Sequence, residues 1–320
     1  MSGNKLQCEL RGVGYVSIDV SNENWLSQVR TECETGEIAG ILYSNPNNPT
    51  GQVYGDQILS QLAQICIEND VVAIEDLAYL LMNYSEDQTI PGEEPFAPTI
   101  TKFMKDEGQY ILLFSLSKLF SYAGEGVGVA KVSKSLAERS IDDLGLPIAQ
   151  AAGAHNFGEL FPIGVYAATA RGASHSAQIA AAETFRLASS GELRDYIIEV
   201  KREYGMRIQR AVEMFERSGF ELAYEIPRSE QGMGAAMYFT VEHPHYQHGG
   251  ELLKDLLCFG IGVSPVAPCG GKKNSLRFSI SDVDSNALDL LDRRLGNFAQ
   301  FRRAAAELGG GEDTYACRMN

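Results

Sequence analysis

The stretch GILYSNPNNPTG, residues 40–51, decides the fold. Its first five residues are a short run typical of a buried strand, and the Asn- and Pro-rich remainder is typical of a turn that ends one. In open α/β sheets, ligands bind outside the carboxyl ends of the strands. The segment therefore predicts either an ordinary turn or a ligand-binding loop, in which the side-chain amide of Asn48 can donate to an anionic oxygen.

Short apolar runs alternate with helical patterns through the first part of the chain. Residues 56–69 favour a helix with Asp56 as its N-cap, because their apolar residues recur on one face. Strands separated by helices are typical of a mostly parallel central sheet flanked by helices. We therefore predict an α/β fold with a large domain over residues 1–218. The strands expected in it are residues 40–44, 71–75, 110–115 and 126–132.

The pattern changes after a long helical stretch at residues 173–218. Strands and helices then follow one another in a way that is typical of an α+β domain. We predict that this smaller domain covers residues 219–307, and that residues 308–320 form a disordered tail because of their glycine run. The elements expected are strands at residues 221–226, 235–241 and 275–280, and helices at residues 250–259 and 284–306.

Composition and charge argue against several classes of protein. The 320 residues are 44% hydrophobic and 22% charged, an ordinary globular composition. The net charge of -15 disfavours nucleic acid as a partner, because an acidic surface repels phosphate backbones. No apolar run reaches the roughly 18 residues of a membrane span, and the N-terminus has no apolar signal region. We therefore expect a cytoplasmic protein that binds neither membranes nor nucleic acid.

Two further motifs follow predicted strands. In EDLAY, residues 75–79, Asp76 is either an N-cap or a buried carboxylate that keeps a heteroaromatic nitrogen protonated, with the Tyr79 hydroxyl three residues on. In SLSK, residues 115–118, Lys118 stands at a strand end among apolar and hydroxyl neighbours. A lysine in such surroundings is a candidate for a lowered pKa and a Schiff base, although an ordinary surface lysine fits the pattern too.

A fourth motif, LRFSI at residues 276–280, places an arginine inside a predicted strand of the second domain. Arginine holds a carboxylate by two parallel hydrogen bonds, which fixes its orientation as well as its charge. Arg277 is therefore a candidate for binding a carboxylate, and an edge-strand salt bridge is the structural alternative.

Taken together and in this order, the four motifs resemble the signature of the pyridoxal-phosphate-dependent aminotransferases of fold type I, the aspartate aminotransferase type. The resemblance runs from about residue 10 to about residue 300. It implies that Lys118 binds pyridoxal 5'-phosphate as a Schiff base and moves a proton during the reaction. It also implies that Asp76 pairs with the pyridinium nitrogen, and that Asn48 and Tyr79 hydrogen-bond the phenolic oxygen of the ring.

The same resemblance implies that Ser115 donates to the cofactor phosphate and that Arg277 binds the α-carboxylate of the substrate. The implied activity is the transfer of an amino group between an amino acid and a 2-oxo acid, in a homodimer and without a metal ion.

Two features depart from the family's pattern. In the family about a hundred further residues precede the NPNNPTG loop, so we expect the N-terminal part of the large domain to be missing here. An arginine that pairs with the phosphate normally stands eight residues after the lysine, where this chain has Gly126 next to Glu125. Both departures predict weak anchoring of the cofactor.

Several alternatives stay open. The same lysine chemistry supports a lyase, a decarboxylase or an acyl transferase, and a non-catalytic relative is the alternative outside the enzymes. The pair Ser115 and Lys118 also matches the S-x-x-K motif of serine hydrolases, but the S-D-N and K-T-G motifs of that class are absent. His243, His245 and His248 lack nearby metal-ligand partners in the sequence, so we interpret them as an exposed loop.

Overall fold

A computed structural model describes residues 2–85, 98–104, 107–164, 172–230 and 232–307 of the chain. The predicted tail, residues 308–320, lies outside the described residues. The first sheet has the strand order β1-β2-β3-β4. Its strands are β1 Gly40–Ser44, β2 Val72–Asp76, β3 Tyr110–Ser115 and β4 Gly128–Val132.

The orientation of these strands confirms a mostly parallel sheet. Strands β1, β2 and β3 run parallel, and β4 pairs antiparallel with β3. Ser44 at the end of β1 lies opposite Asp76, and Asp76 lies opposite Leu113 near the end of β3. The carboxyl ends of the three parallel strands therefore meet at one edge of the sheet, where the loops that follow them come together.

Helix α3, Asp56–Glu68, covers one face of the sheet as its apolar periodicity predicts. Its buried residues Leu59, Leu62 and Ile65 belong to one core cluster with residues of β1 and β2. The predicted N-cap is wrong, because the N-cap residue is Gly55 in an extended conformation. Asp56 lies instead in the first turn, where it forms an ion pair with Lys102.

Further helices precede, connect and follow the strands of the first sheet along the chain. In the described ranges, no helix is both long and apolar enough to cross a membrane. The remaining helices before the second sheet are α1 Ser2–Leu10, α2 Trp25–Glu34, α4 Thr101–Met104, α5 Lys134–Ala137, α6 Pro147–Ala152, α7 Phe157–Phe161, α8 His175–Ser189 and α9 Arg194–Arg217.

A second, antiparallel sheet has the order β5-β6-β8-β7. Its core is aromatic, since the ring of Phe215 from α9 contacts Phe220, Phe239 and Phe278 edge to face. The elements here are β5 Glu221–Leu222, β6 Tyr238–Glu242, α10 Gly249–Cys258, β7 Ser264–Pro265, β8 Leu276–Ser279 and α11 Ser285–Glu307.

Strand β6 begins later than the predicted strand at residues 235–241, and the reason is a contact with the first half of the chain. The amide of Ala236 donates to the carbonyl of Met82 at 2.7 Å, and the amide of Tyr84 donates to the carbonyl of Gly234 at 3.0 Å. These backbone groups are therefore used between the two sheets rather than along β6. These two hydrogen bonds hold the loop after β2 against the start of the second sheet.

The NPNNPTG loop also contacts this sheet, through a hydrogen bond and a close backbone approach. The hydroxyl of Thr240 in β6 donates to the carbonyl of Pro49 at 2.9 Å. Gly51 has a φ of +75°, and a Cβ at this position would lie 2.7 Å from the carbonyl oxygen of Tyr238. Only glycine allows this approach without strain. Two loops from the first sheet thus meet the start of β6, which positions the site described below.

The interpretation of the three histidines as an exposed loop is wrong for His243. Its ring is buried and contacts Phe220 at a centroid distance of 4.9 Å, while His245 and His248 are exposed. Burial lowers the pKa of His243 to about 4, and the nearby His245 and Arg302 add to the effect. Among the described residues, no group of three or more His, Cys, Asp or Glu side chains is placed to hold a metal ion.

Candidate active site

Asn48 and Arg277 come together although they stand in different halves of the chain. The Nη1 atom of Arg277, in β8, donates to Oδ1 of Asn48, in the loop after β1, at 2.8 Å. Within the described residues, Arg277 has no carboxylate partner within 4.0 Å. A half-buried guanidinium without an anion is notable in a chain of net charge -15. Its remaining N–H groups are the donors that a carboxylate ligand requires.

Tyr79 lies beside this pair and is only 3% exposed. Its hydroxyl is 3.5 Å from Nδ2 of Asn48 and donates to the hydroxyl of Tyr238 at 3.1 Å. Burial raises the pKa of Tyr79, and the hydrogen bond to Tyr238 raises it further, against the opposing charge of Arg277. The phenol is therefore neutral at physiological pH and available as a hydrogen-bond donor.

Lys118 approaches the same group from the turn that follows β3. Its Nζ atom lies 5.9 Å from the centre of the Tyr79 ring. Lys118 is half-buried and, among the described residues, forms no ion pair with a carboxylate. The amine is thus close to a tyrosine and not bound to an anion, which suits a lysine that reacts with a carbonyl group.

Ser115 and Asp76 lie at the ends of adjacent strands at this edge. The hydroxyl oxygen of Ser115 accepts a hydrogen bond from the amide of Ser117 at 3.2 Å, so its own proton remains available to a ligand. Oδ1 of Asp76 accepts from the amide of Ala78 at 3.0 Å. This local turn is partly consistent with the alternative of Asp76 as an N-cap. It uses only one of the two carboxyl oxygens.

The structure therefore brings together Asn48, Tyr79, Lys118 and Arg277 through contacts, and it adds Tyr238, which the sequence analysis missed. Tyr238 stands in the middle of an ordinary apolar run, and no motif distinguishes it there. Its proximity to Tyr79 results from the docking of the second sheet on the loop after β2, which is a tertiary contact. The sequence offered no signal for Tyr238 beyond its place in a predicted strand.

Glu75 is a second residue that sequence reasoning passed over. Its side chain is fully buried, on the opposite face of β2 from Asp76. Oε2 accepts from the amide of Ile100 at 3.0 Å, whereas Oε1 has no hydrogen-bond partner among the described residues. Burial raises the pKa of Glu75 to about 7, although the Ile100 amide and the nearby Tyr43 hydroxyl act to lower it.

This carboxyl group makes the stability of the protein depend on pH. Because the pKa is higher in the folded state than its usual 4.5, the folded chain holds this proton more tightly than the unfolded chain. The stability from Glu75 is therefore present below about pH 4.5 and is lost as the pH rises through about 7. We expect Glu75→Gln to be more stable than the wild type at pH 8, by about 3 kcal/mol.

Urea unfolding of both proteins from pH 5 to pH 8 measures this difference. Glutamine keeps an oxygen for the Ile100 amide and removes the ionisable group, so the difference in stability should widen from pH 5 to about pH 7 and then level off. Glu37→Gln, which changes an exposed carboxylate, is the matched control and should leave the pH dependence unaltered. An equal free energy of unfolding for wild type and Glu75→Gln at pH 8 would show that the buried carboxylate is not destabilising.

Gly126 ends a short 3-10 turn after Lys118 and has a left-handed conformation, with a φ of 59°. It is exposed, and a Cβ built there has no heavy atom within 4 Å. A side chain at this position is therefore allowed sterically but adopts a backbone conformation that costs about 1 kcal/mol or more for a residue other than glycine.

The family model described as aminotransferase class I and II matches residues 5–295 of the chain. Curated relatives match shorter segments. The aspartate aminotransferase of Bacillus subtilis is 26% identical over 102 residues, 32% of this chain and 24% of that protein. The LL-diaminopimelate aminotransferase of Methanococcus maripaludis is 33% identical over 92 residues, 28% of this chain and 20% of that protein.

A relative with a different reaction in its name is similarly close. The 1-aminocyclopropane-1-carboxylate synthase 6 of Oryza sativa subsp. japonica is 32% identical over 93 residues, 29% of this chain and 17% of that protein. The segments matched in these three relatives are a quarter or less of their lengths. Sequence identity alone therefore does not separate the two reaction types.

Solved structures resemble the whole described fold. An aspartate aminotransferase of Thermus thermophilus with maleate superposes with a TM-score of 0.67 at 18% identity, over 93% of this chain and 67% of that chain. An alanine aminotransferase of Pyrococcus furiosus gives a TM-score of 0.63 at 17% identity, over 92% and 67%. At such identities the likeness establishes the fold.

Proposed function

Because this chain belongs to the family of class I and II aminotransferases, we infer that it moves an amino group between an amino acid and a 2-oxo acid, with pyridoxal 5'-phosphate as cofactor. The observation that carries the proposal is the cluster of Lys118, Tyr79, Asn48 and Arg277 at the carboxyl edge of the parallel strands. It places an amine, a phenol, an amide and a cation within one group of contacts.

The residues present fit this cofactor by the chemistry of their donor set. A primary amine without an anionic partner can bind an aldehyde, and this amine is Lys118. The cofactor's phenolic oxygen requires donors, which Tyr79 and Asn48 supply, and its pyridine nitrogen requires a carboxylate, which Asp76 supplies. Ser115 retains a hydroxyl proton for the phosphate. When bound, the cofactor withdraws electrons from the substrate Cα and so makes its proton acidic.

The protein's own residues then have separate tasks. With the cofactor bound, Lys118 would accept the proton from the substrate Cα and return it as a general acid. Arg277 binds the α-carboxylate in two hydrogen bonds and thereby fixes which substrate bond faces Lys118. Asp76 keeps the ring nitrogen protonated, because a nearby carboxylate favours the charged form.

Amino transfer to a 2-oxo acid is the direct test of the proposal. The purified protein is incubated with pyridoxal phosphate, 2-oxoglutarate and a panel of amino acids, and glutamate is measured. The second candidate, a lyase, is suggested by the similarity to the rice synthase. A lyase consumes its amino-acid substrate without any 2-oxo acid, so omitting 2-oxoglutarate separates the two reactions. Absence of both reactions, with no binding of the cofactor, would favour a non-catalytic relative.

We expect Gly126→Arg to bind pyridoxal phosphate more tightly than the wild type, by about two- to thirtyfold. A charge-assisted contact to phosphate contributes about 1.5–3 kcal/mol, and the left-handed backbone at this position subtracts roughly 1 kcal/mol. Titration followed by the visible absorbance of the cofactor measures the change. The matched control is Gly124→Arg, which adds the same charge at an exposed glycine two residues away. Equal gains in both variants would attribute the effect to net charge.

We also propose that the protein works in the cytoplasm as a homodimer. The proposal is supported by the family's usual assembly, and sedimentation velocity measures it directly. A single species of about 35 kDa, the mass of one chain, would contradict the dimer.

A further inference from the structure

Four side chains form a closed cycle at the candidate active site. Arg277 donates to Asn48 at 2.8 Å, and Nδ2 of Asn48 lies 3.5 Å from the Tyr79 hydroxyl, a long hydrogen bond. The Tyr79 hydroxyl contacts that of Tyr238 at 3.1 Å. The ring of Tyr238 then closes the cycle, because its centre lies 4.2 Å from Cζ of Arg277.

Tyr238 is held rigidly in this cycle. It is the first residue of β6, where it pairs with Ser279 of β8, and it is 9% exposed. Since Thr240 pairs with Arg277, Tyr238 is the diagonal neighbour of Arg277 on the same face of the sheet. Its backbone carbonyl packs against Gly51 of the NPNNPTG loop. The strand and the loop therefore both fix the backbone from which the ring reaches Arg277.

The ring of Tyr238 is a cation–π partner for Arg277, which has no carboxylate partner among the described residues. A guanidinium stacked on an aromatic face keeps its in-plane N–H groups free, because the π system covers only one face. Asn48 occupies one of these groups through Nη1. The contact with the ring thus helps to hold the cation in place, while the N–H groups not used by Asn48 stay available to a planar carboxylate.

The hydroxyl of Tyr238 contacts a different member of the cycle, Tyr79. Tyr79 has a single hydroxyl proton, which in the absence of a ligand is directed to Tyr238. When a phenolic oxygen takes that proton as a hydrogen bond, the Tyr79 oxygen can accept one from Tyr238 in turn. A donor that is itself hydrogen-bonded in this way is a stronger donor. The two hydroxyls then form a chain directed at the cofactor.

We propose that Tyr238 is a positioning residue that orients both halves of the site, with its ring holding Arg277 for a substrate carboxylate and its hydroxyl strengthening Tyr79 as a donor to the cofactor. The inference rests on the proposed function. It assigns separate tasks to the ring and to the hydroxyl, so two substitutions at the same position separate them.

The ring is tested by the affinity for succinate, a dicarboxylate without an amino group, in calorimetric titrations of the protein saturated with pyridoxal phosphate. We expect Tyr238→Leu to weaken succinate binding by about three- to thirtyfold, since the cation loses its aromatic partner. Tyr238→Phe keeps the ring and should bind succinate within about twofold of the wild type. An unchanged affinity in Tyr238→Leu, or an equal loss in Tyr238→Phe, would overturn the role of the ring.

The hydroxyl is tested by the pH at which the visible absorbance of the bound cofactor changes. We expect this midpoint to rise in Tyr238→Phe, by less than about one pH unit, because Tyr79 becomes a weaker donor to the negatively charged phenolic oxygen. A midpoint that is unchanged or lower would overturn the role of the hydroxyl. The absorbance measurement on Tyr238→Phe still tests the proposal if Tyr238→Leu fails to fold.

A matched control separates positioning from stability. The hydroxyl of Tyr84 donates to the carbonyl of Ala236, so Tyr84→Phe also removes a buried hydrogen bond close to β6 but outside the cycle. It should lower stability without changing either readout, and a similar loss of succinate affinity there would overturn the proposal. Failure of the wild type to bind succinate or the cofactor would instead contradict the proposed function itself.

Discussion

Lys118→Ala is expected to lower kcat/KM for amino transfer by at least about a thousandfold. On the proposed function, the substitution removes both the nucleophile that binds the cofactor and the base that moves the Cα proton, and general acid–base catalysis alone contributes roughly 10²–10⁴-fold. The structure supports this expectation because Lys118 is close to Tyr79 and has no carboxylate partner among the described residues.

Reduction with borohydride identifies the lysine independently of turnover. The wild type is incubated with pyridoxal phosphate and reduced, and the labelled peptide is mapped by mass spectrometry. We expect label at Lys118 in the wild type and none at this position in Lys118→Arg, which keeps the charge but has no reactive amine at neutral pH. Labelling confined to other lysines would contradict the assignment.

Arg277→Ala is expected to have the second largest effect, a fall in kcat/KM of roughly thirtyfold to several thousandfold. Removing one partner of a desolvated, hydrogen-bonded charge pair costs about 2–5 kcal/mol, and each 1.4 kcal/mol is a factor of ten. The loss should appear mainly as a higher KM, because the cofactor's own contacts remain. Arg277→Lys retains the charge without the bidentate geometry and should recover only part of the loss.

Asp76→Asn provides the contrast that tests the division of tasks. The amide cannot keep the ring nitrogen protonated, so we expect a lower kcat with a smaller change in KM. The absorbance of the bound cofactor should be altered in Asp76→Asn and retained in Arg277→Ala. If the two variants had the same kinetic and spectral behaviour, Arg277 and Asp76 would not have the separate roles that we propose.

The bounds of strands and helices could be predicted where they depend on neighbouring residues in the sequence. Strands β1 and β3 have the predicted bounds, because each is a compact apolar run that ends at polar residues. Helix α3 is one residue shorter than predicted, since the helix ends at Glu68 and Asn69 is its C-cap. The antiparallel direction of β4 was not predictable, because the length of a connection does not fix which way the next strand runs.

Contacts between residues far apart in the chain could not be predicted from the sequence. The motif order predicted that Asn48 and Arg277 take part in one site, but not that they hydrogen-bond directly. Tyr238 and Glu75 became visible only through packing: one is brought to Tyr79 by the second sheet, and the other is buried by the loop at Ile100. Neither property has a signature in residue type or spacing.

The loops that meet the start of β6 also determine when the site can exist during folding. The Asn48–Arg277 bond joins residues 229 positions apart, and the Tyr79–Tyr238 bond joins residues 159 positions apart. Closing such long loops costs entropy before the contact forms, so high contact order makes these bonds late events. In a chain emerging from the ribosome, the Asn48–Arg277 bond cannot form before Arg277 has been synthesised. On the role proposed for Arg277, a carboxylate ligand would bind only folded molecules and would stabilise them by mass action.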